Sequence, residues 1–261
     1  MKFTVITCTY NSEKFLKKNI ESVKAQSFRD FEHIFIDGNS TDKTLDIIKE
    51  YQKEFPSIVK FYQFEPKGIS NAMNNGIKKA QGEFLIHMHS DDSFYDAKVL
   101  EDVNRFLGEN KKLDWIYGLS NTVEEDGTRV MVYPNKSFFH FHNSESFIGS
   151  YFMKILRFVC HQTVFIRKSV FDEFGYFDET LKCGMDPDFW LRIRKGTKWS
   201  FFDRIICNYC VREDAQSSGV ENQEVNKREM KIFRKRHMNF FERLFLKILD
   251  PIQRMRNKSI R

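Results

Sequence analysis

The chain predicts an α/β fold built on an open, mostly parallel twisted sheet flanked by helices. Two observations carry that expectation. Short apolar runs alternate with segments of helical periodicity through the first 92 residues, the pattern of strand–helix–strand units with right-handed crossovers. Three of the apolar runs end in polar turns, and the last of them ends on adjacent carboxylates, Asp91 and Asp92. Ligands of open α/β sheets bind beyond the carboxyl ends of the strands, so these turns define one expected site.

The elements follow in order. Residues 3–8 form the first strand and lead into Thr9-Tyr10-Asn11-Ser12. Leu16, Ile20 and Val23 recur at helical spacing within 13–26, with Asn11 or Ser12 available as N-cap. Strand 32–37 opens into Asp37-Gly38-Asn39-Ser40-Thr41-Asp42, where Ser40 or Thr41 is placed to cap a helix whose Leu45, Ile48 and Tyr51 face the sheet. A third strand covers 58–64. Helix 70–81 turns Ala72, Met73, Ile77 and Ala80 inward, and Gly82 breaks it before a buried strand that reaches Asp92. Further on, Leu100, Val103, Phe106 and Leu107 mark a helix, 114–118 a strand, and Glu125-Asp126-Gly127 the turn of a hairpin between 120–124 and 128–133. Strand 163–167 and helices 168–174 and 189–194 complete the pattern; 138–158 is aromatic-rich without a clear period. The chain thus divides into a domain over 1–218, split at 92 into two halves, and a tail over 219–261.

Charge separates that tail from the rest. From residue 224 onward the sequence holds 12 Lys and Arg against 4 Asp and Glu, whereas the remainder holds 30 against 32. A nearly neutral core argues against a nucleic-acid partner, which would require a basic face on the folded domain. Phe240, Phe241, Leu244, Phe245, Ile248, Leu249 and Ile252 recur at helical spacing with Arg243 and Lys247 opposite, and Asp250-Pro251 starts a new helix. Basic amphipathic helices of this kind suit an anionic membrane surface, at about 1 kcal/mol per Lys or Arg. No run has the apolar length of a membrane span, and no secretory leader is expected. Five cysteines without repeating spacing favour a reducing cytosol, and Cys207-Asn208-Tyr209-Cys210 reads as core.

The chemistry concentrates at the strand ends. Adjacent carboxylates at Asp91-Asp92 suit a hard divalent cation, Mg²⁺ or Mn²⁺, that keeps positions open for a substrate's phosphates. Taken alone, two adjacent carboxylates read rather as a strand-end turn with a helix-capping role. His87 and His89 share a strand face, but no Cys or carboxylate at zinc-site spacing accompanies them, so they read as site-lining or hydrogen-bonded histidines.

In this order the motifs resemble family 2 glycosyltransferases of the GT-A fold, over roughly 1–212. Thr9-Tyr10-Asn11 looks like that family's first strand end, and Asp37-Gly38-Asn39-Ser40-Thr41-Asp42-Lys43-Thr44 like its nucleotide-binding turn. Lys67-Gly68-Ile69-Ser70-Asn71-Ala72-Met73-Asn74-Asn75-Gly76 is similar to the helix before its metal strand, and Ser90-Asp91-Asp92 to its metal motif. Cys160-His161-Gln162-Thr163, Gly175-Tyr176-Phe177-Asp178-Glu179 and Asp186-Pro187-Asp188-Phe189-Trp190-Leu191-Arg192 follow the acceptor half of its polysaccharide-building members. The resemblance implies a Rossmann-like nucleotide-sugar-binding half over 1–92 and an acceptor half over 93–218. It implies donor contacts from Thr9, Tyr10, Asn11, Asp37, Asn74 and Asp91, and a metal held by Asp92 with Asp91. Asp186 takes the place of the catalytic base, with His161, Gln162, Asp188 and Trp190 on the acceptor side. Asp188 competes for the base if its segment is extended, since it then shares a face with Asp186. Met185 stands where many members have Glu, and His89 where Asn is frequent.

The implied activity is inverting transfer from a nucleotide-diphosphate sugar, a UDP-sugar favoured, to a hydroxyl of a glycan or lipid-linked glycan in cell-surface polysaccharide assembly. The implied location is the cytoplasmic face of the inner membrane, as a peripheral protein. Two other classes compete. A sugar-phosphate nucleotidyltransferase would carry a Gly-rich basic loop near its N-terminus, and residues 9–12 have neither Gly nor a basic residue. A non-catalytic nucleotide-sugar-binding module would have no need of Asp91, Asp92 and Asp186 together.

Overall fold

The computed structural model describes residues 1–134, 143–146, 159–212 and 220–243. Most of the aromatic-rich 138–158 and the apolar tail positions from Leu244 onward therefore lie outside the described residues. The N-terminal half runs β1 (Phe3–Thr9), α1 (Leu16–Lys24), β2 (Phe31–Asp37), α2 (Thr44–Glu54), β3 (Val59–Gln63), α3 (Ile69–Lys79) and β4 (Phe84–His87). There follow β5 (Ser93–Phe94), α4 (Val99–Glu109), β6 (Trp115–Val123), β7 (Arg129–Tyr133), β8 (Val164–Arg167), α5 (Lys168–Phe174), α6 (Met185–Ile193), β9 (Trp199–Cys210) and α7 (Val220–His237).

One sheet runs β3-β2-β1-β4-β8-β6-β9-β5, with β7 paired to β6. β1 pairs in parallel with β2 and β4, and β2 with β3, while β6 pairs in parallel with β9. β8 enters antiparallel between β4 and β6, so β6 and β9 regain the direction of the first four strands. The sheet is mostly parallel and is covered on both faces. Along β1, Ile6 and Cys8 join the core under α3, α5 and α6, and Phe3 and Val5 join the core under α1 and α4. That two-sided burial explains why β1 and β2 read as continuous apolar runs. Gly82 lets the chain pass directly beneath β1: a Cβ there would stand 2.5 Å from the backbone carbon of Phe3.

Local expectations differ in four places. The strands expected at 114–118 and 120–124 are one strand, β6. α1 and α2 carry no side-chain cap at Phe15 or Lys43; Asn11 and Ser40 instead tie the β1 and β2 turns together, as described below, and the Ser12 amide donates to Thr44 Oγ1 at 2.7 Å. Asp42, just before α2, accepts a hydrogen bond from the Thr44 amide at 2.9 Å. The strand expected to reach Asp92 stops at His87, because the Asn19 side chain donates to the carbonyls of His89 (2.9 Å) and Asp92 (3.1 Å) and holds 88–92 as a turn. α6 begins at Met185 rather than 189, which puts Asp186 and Asp188 in its first turn and not on an extended segment.

The first helix of the expected tail docks on the domain. Phe233 and Met238 are buried in the core that also holds Met185, Phe189 and Trp190. Phe240 and Phe241 are exposed. Among the described residues no helix is long and apolar enough to cross a membrane.

Candidate active site

The β1 and β2 ends are locked into one surface by short polar side chains. Asp37 is fully buried; its Oδ1 accepts the hydroxyls of Thr9 (2.8 Å) and Ser40 (2.6 Å), and its Oδ2 accepts the Ser40 amide (2.8 Å). The Asn11 amide donates to Ser40 Oγ at 2.9 Å, and Asn11 Oδ1 accepts the Thr41 amide at 2.9 Å. Asn11 and Asn39 both take positive φ, 48° and 61°, a conformation that Asn tolerates better than most side chains. Tyr10 stands exposed on the rim. Beside these ends lies a recess of about 360 Å³ lined by Thr9, Tyr10, Asp37, Gly38, Phe64 and Ile69.

It adjoins a larger cleft of about 630 Å³, sharing Cys8, Tyr10 and Ile69 with it. Asp91, Asp92 and Asp186 all line this cleft. Asp92 is 1% exposed, its carboxylate accepting the Gln162 amide group (3.0 Å) and the Cys210 backbone N–H (3.0 Å). Burial, and then the adjacent Asp91, push its pKa well above the usual carboxylate range. Asp91 Oδ2 lies 3.0 Å from the Arg212 guanidinium, which sits over the Phe15 ring. Across the cleft His161 bridges two side chains: its Nδ1 is 3.3 Å from Asp186 Oδ2 and its Nε2 is 2.7 Å from His89 Nε2.

Asp91 and Asp92 fit a hard divalent cation. They supply oxygen donors, and a buried carboxylate beside another carboxylate is the charge conflict such an ion relieves. Among the described residues no three His, Cys, Asp or Glu side chains group into a ready-made cage. One or two carboxylates completed by substrate phosphates is the way Mg²⁺ is commonly held.

The model of the family described as glycosyl transferase family 2 matches residues 4–175. The chain belongs to glycosyltransferase family 2. It is 29% identical over 193 residues to a PGL/p-HBAD biosynthesis glycosyltransferase of Mycobacterium bovis, covering 73% of this chain and 68% of the relative. A poly(ribitol-phosphate) β-N-acetylglucosaminyltransferase of Staphylococcus aureus, TarS, is 35% identical over 112 residues, 42% of this chain and 19% of that one. The crystal structure of TarS 1–349 with UDP-GlcNAc superposes with a TM-score of 0.69 at 26% identity, covering 86% of this chain and 64% of that chain. The mannosyltransferase PcManGT of Pyrobaculum calidifontis, solved with GDP-Man and Mn²⁺, shares the fold at a TM-score of 0.61 and 14% identity, over 82% of this chain and 58% of that one. The GT-A expectation is thereby met, and the chain spans about two thirds of the TarS fragment's length.

Within this family 2 chain, the expected residues fall into two sets. Tyr10, Asn11, Asp91, Asp92, His161, Gln162 and Asp186 line the larger cleft, and Thr9 and Asp37 the recess. Three others lie elsewhere. Asn74 is 2% exposed and spends its side chain on Phe177, accepting its amide (3.1 Å) and donating to its carbonyl (3.0 Å), so it braces the acceptor half. Trp190 stacks on Trp115 in the core at 5.5 Å. Asp188 is buried between Arg192 (3.2 Å), Arg236 (3.2 Å) and His237 (2.8 Å), and burial is outweighed by these partners, which hold its pKa below the usual range. Two residues apart on a helix point about 200° from each other, which is why Asp186 reaches the cleft and Asp188 does not. Sequence reasoning passed over Arg212 and Asn226, which also line the cleft. Arg212 carried one legible signal, a cation just past the end of β9, another strand that terminates at the site.

Proposed function

We propose that the chain is an inverting, metal-dependent sugar transferase. It moves a sugar from a nucleotide-diphosphate donor, a UDP-sugar favoured, to a hydroxyl of a glycan or lipid-linked glycan. One observation carries the reading: Asp186 shares a cleft with Asp91 and Asp92, although 94 residues separate Asp186 from Asp92 in sequence. The recess beside Asp37 accommodates the nucleoside, which brings the donor's diphosphate toward Asp91 and Asp92. UDP-GlcNAc in the TarS structure, and the poly(ribitol-phosphate) on which TarS acts, support a UDP-sugar and a polymeric acceptor.

Asp186 accepts the proton of the acceptor hydroxyl as its oxygen bonds to the anomeric carbon, while the bond from that carbon to the diphosphate oxygen breaks. Attack opposite the leaving group inverts the carbon. His161 Nδ1, beside Asp186 Oδ2, steadies the carboxylate facing the acceptor. When bound by Asp92 and Asp91, Mn²⁺ or Mg²⁺ supplies positive charge for the departing diphosphate. Arg212, beside Asp91, is a further cation lining the cleft. The basic tail supports a peripheral position at the cytoplasmic face of the inner membrane, where a lipid-linked acceptor in surface-polysaccharide assembly would be met.

A panel of UDP-, GDP- and dTDP-sugars with Mn²⁺ tests this reading by release of nucleoside diphosphate. One donor is expected to be turned over, with Asp186→Asn lowering turnover by about a thousandfold or more and leaving UDP affinity within about twofold. An unimpaired Asp186→Asn removes the base assignment, and a metal-independent reaction removes the role given to Asp91 and Asp92.

A further inference from the structure

The Asp186 helix does not hold its own start. α6 begins at Met185 with Gly184 as its N-cap residue, so it has no side-chain cap of its own. The amides of the N-cap residue and of the two residues before it are taken by a distant carboxylate: Glu229 of α7 accepts the backbone N–H groups of Lys182 (2.6 Å), Cys183 (2.9 Å) and Gly184 (2.8 Å). Glu229 is only 7% exposed, unusual for a glutamate, and the three amides account for its burial. A carboxylate at a helix N-terminus also meets the positive end of the helix dipole, so its charge and its hydrogen bonds act together.

The rest of α7 grips the same helix. Phe233 packs into the core with Met185 and Phe189, and Arg236 and His237 close on Asp188 from outside the cleft. Lys182 and Cys183, from the held loop, and Asn226, one turn before Glu229, line the cleft alongside Asp186. On its other side the loop is fixed by Ser70, whose hydroxyl donates to the Leu181 carbonyl at 2.8 Å. Residues 181–184 are therefore clamped between α3 and α7, and Asp186 follows two residues later.

We propose that Glu229 is a positioning residue for Asp186: through it α7 sets where the base stands in the cleft. This rests on the assignment of Asp186 as base. The donor recess is built from β1, β2, the β3–α3 turn and the start of α3, whereas the hydrogen bonds of Glu229 go to residues 182–184, so the effect falls on turnover and spares donor binding. In Glu229→Gln the amide NH₂ faces backbone N–H groups that a carboxylate oxygen had accepted, so at least one contact becomes donor against donor.

The full chain carrying Glu229→Gln is compared with the unaltered protein and with Asp186→Asn, using UDP as the binding probe and the panel's turned-over sugar as donor. Displacement of a base by a fraction of an ångström to one ångström costs about ten- to a hundredfold in kcat, and that loss is expected with donor KM and UDP affinity within about twofold. Amide hydrogen exchange over 181–188 is expected to speed up by about tenfold or more while β1 and β2 are unchanged. Turnover of Glu229→Gln within about twofold of the unaltered protein, or a loss in which UDP affinity falls in step with kcat, overturns the proposal. Unchanged exchange over 181–188 overturns it too, whether or not a donor has been found. Asp186→Asn keeps the two readings apart: if it remains active the base assignment fails, and if it is inactive while Glu229→Gln is not, only the positioning role fails. Should Glu229→Gln not fold, the same criteria apply to Glu229→Asp, which keeps the charge and draws it back from the loop.

Discussion

His33 is the residue whose burial is most directly measurable. It is fully buried on β2, its Nε2 2.9 Å from the Thr7 hydroxyl, and burial pulls its pKa down from 6.5 to about 3. The unfolded chain takes up a proton at this position near pH 6.5 and the folded chain does not until about 3. The unfolded state thus binds more protons between those values. Its contribution is complete above pH 6.5 and is lost as the pH falls toward 3, at up to about 1.4 kcal/mol per pH unit. Urea denaturation is expected to show stability falling between pH 7 and pH 5, with a shallower fall for His33→Gln; equal slopes would count against this assignment. At the catalytic end, the individual carboxylates were legible from sequence because a strand end and a motif order place them. Their partners were not. Asp37 shows its part only through Thr9 and Ser40, and the pairing of Asp91 with Arg212 joins positions 121 residues apart, beyond any local pattern.

Elements with strong periodicity were legible nearly to the residue: helix 168–174 coincides with α5, and the hairpin at 125–127 joins β6 to β7 with Gly127 at φ 88°. One misplaced boundary is that of α6. Pro187 suggests a helix break, yet it occupies the third helical position, where the missing N–H has no intrahelical partner to lose. The helix therefore starts before the proline and carries Asp186 and Asp188 to different sides. Cap residues were misread for a related reason. Asn, Ser and Thr satisfy any nearby amide, and at the β1 and β2 ends the nearest unsatisfied amides belong to the neighbouring turn.

On the scale of the whole molecule, a sheet with six of its nine described strands aligned brings the ends of β1, β2 and β4 to one edge, while α6 and the end of β9 close the site from the acceptor half. α7 joins the domain, and the exposed Phe240 and Phe241 leave it with the basic tail beyond. If that tail docks on membranes, removing 239–261 will reduce sedimentation with anionic vesicles; unchanged sedimentation would end the membrane reading. The proposed inversion is geometric: Asp186 would face the donor's anomeric carbon from the side opposite a diphosphate at Asp91 and Asp92. Proton NMR of the first-formed product of donor turnover tests it most directly. A product anomer opposite to the donor's is predicted, and a product that keeps the donor's configuration would contradict a base at Asp186.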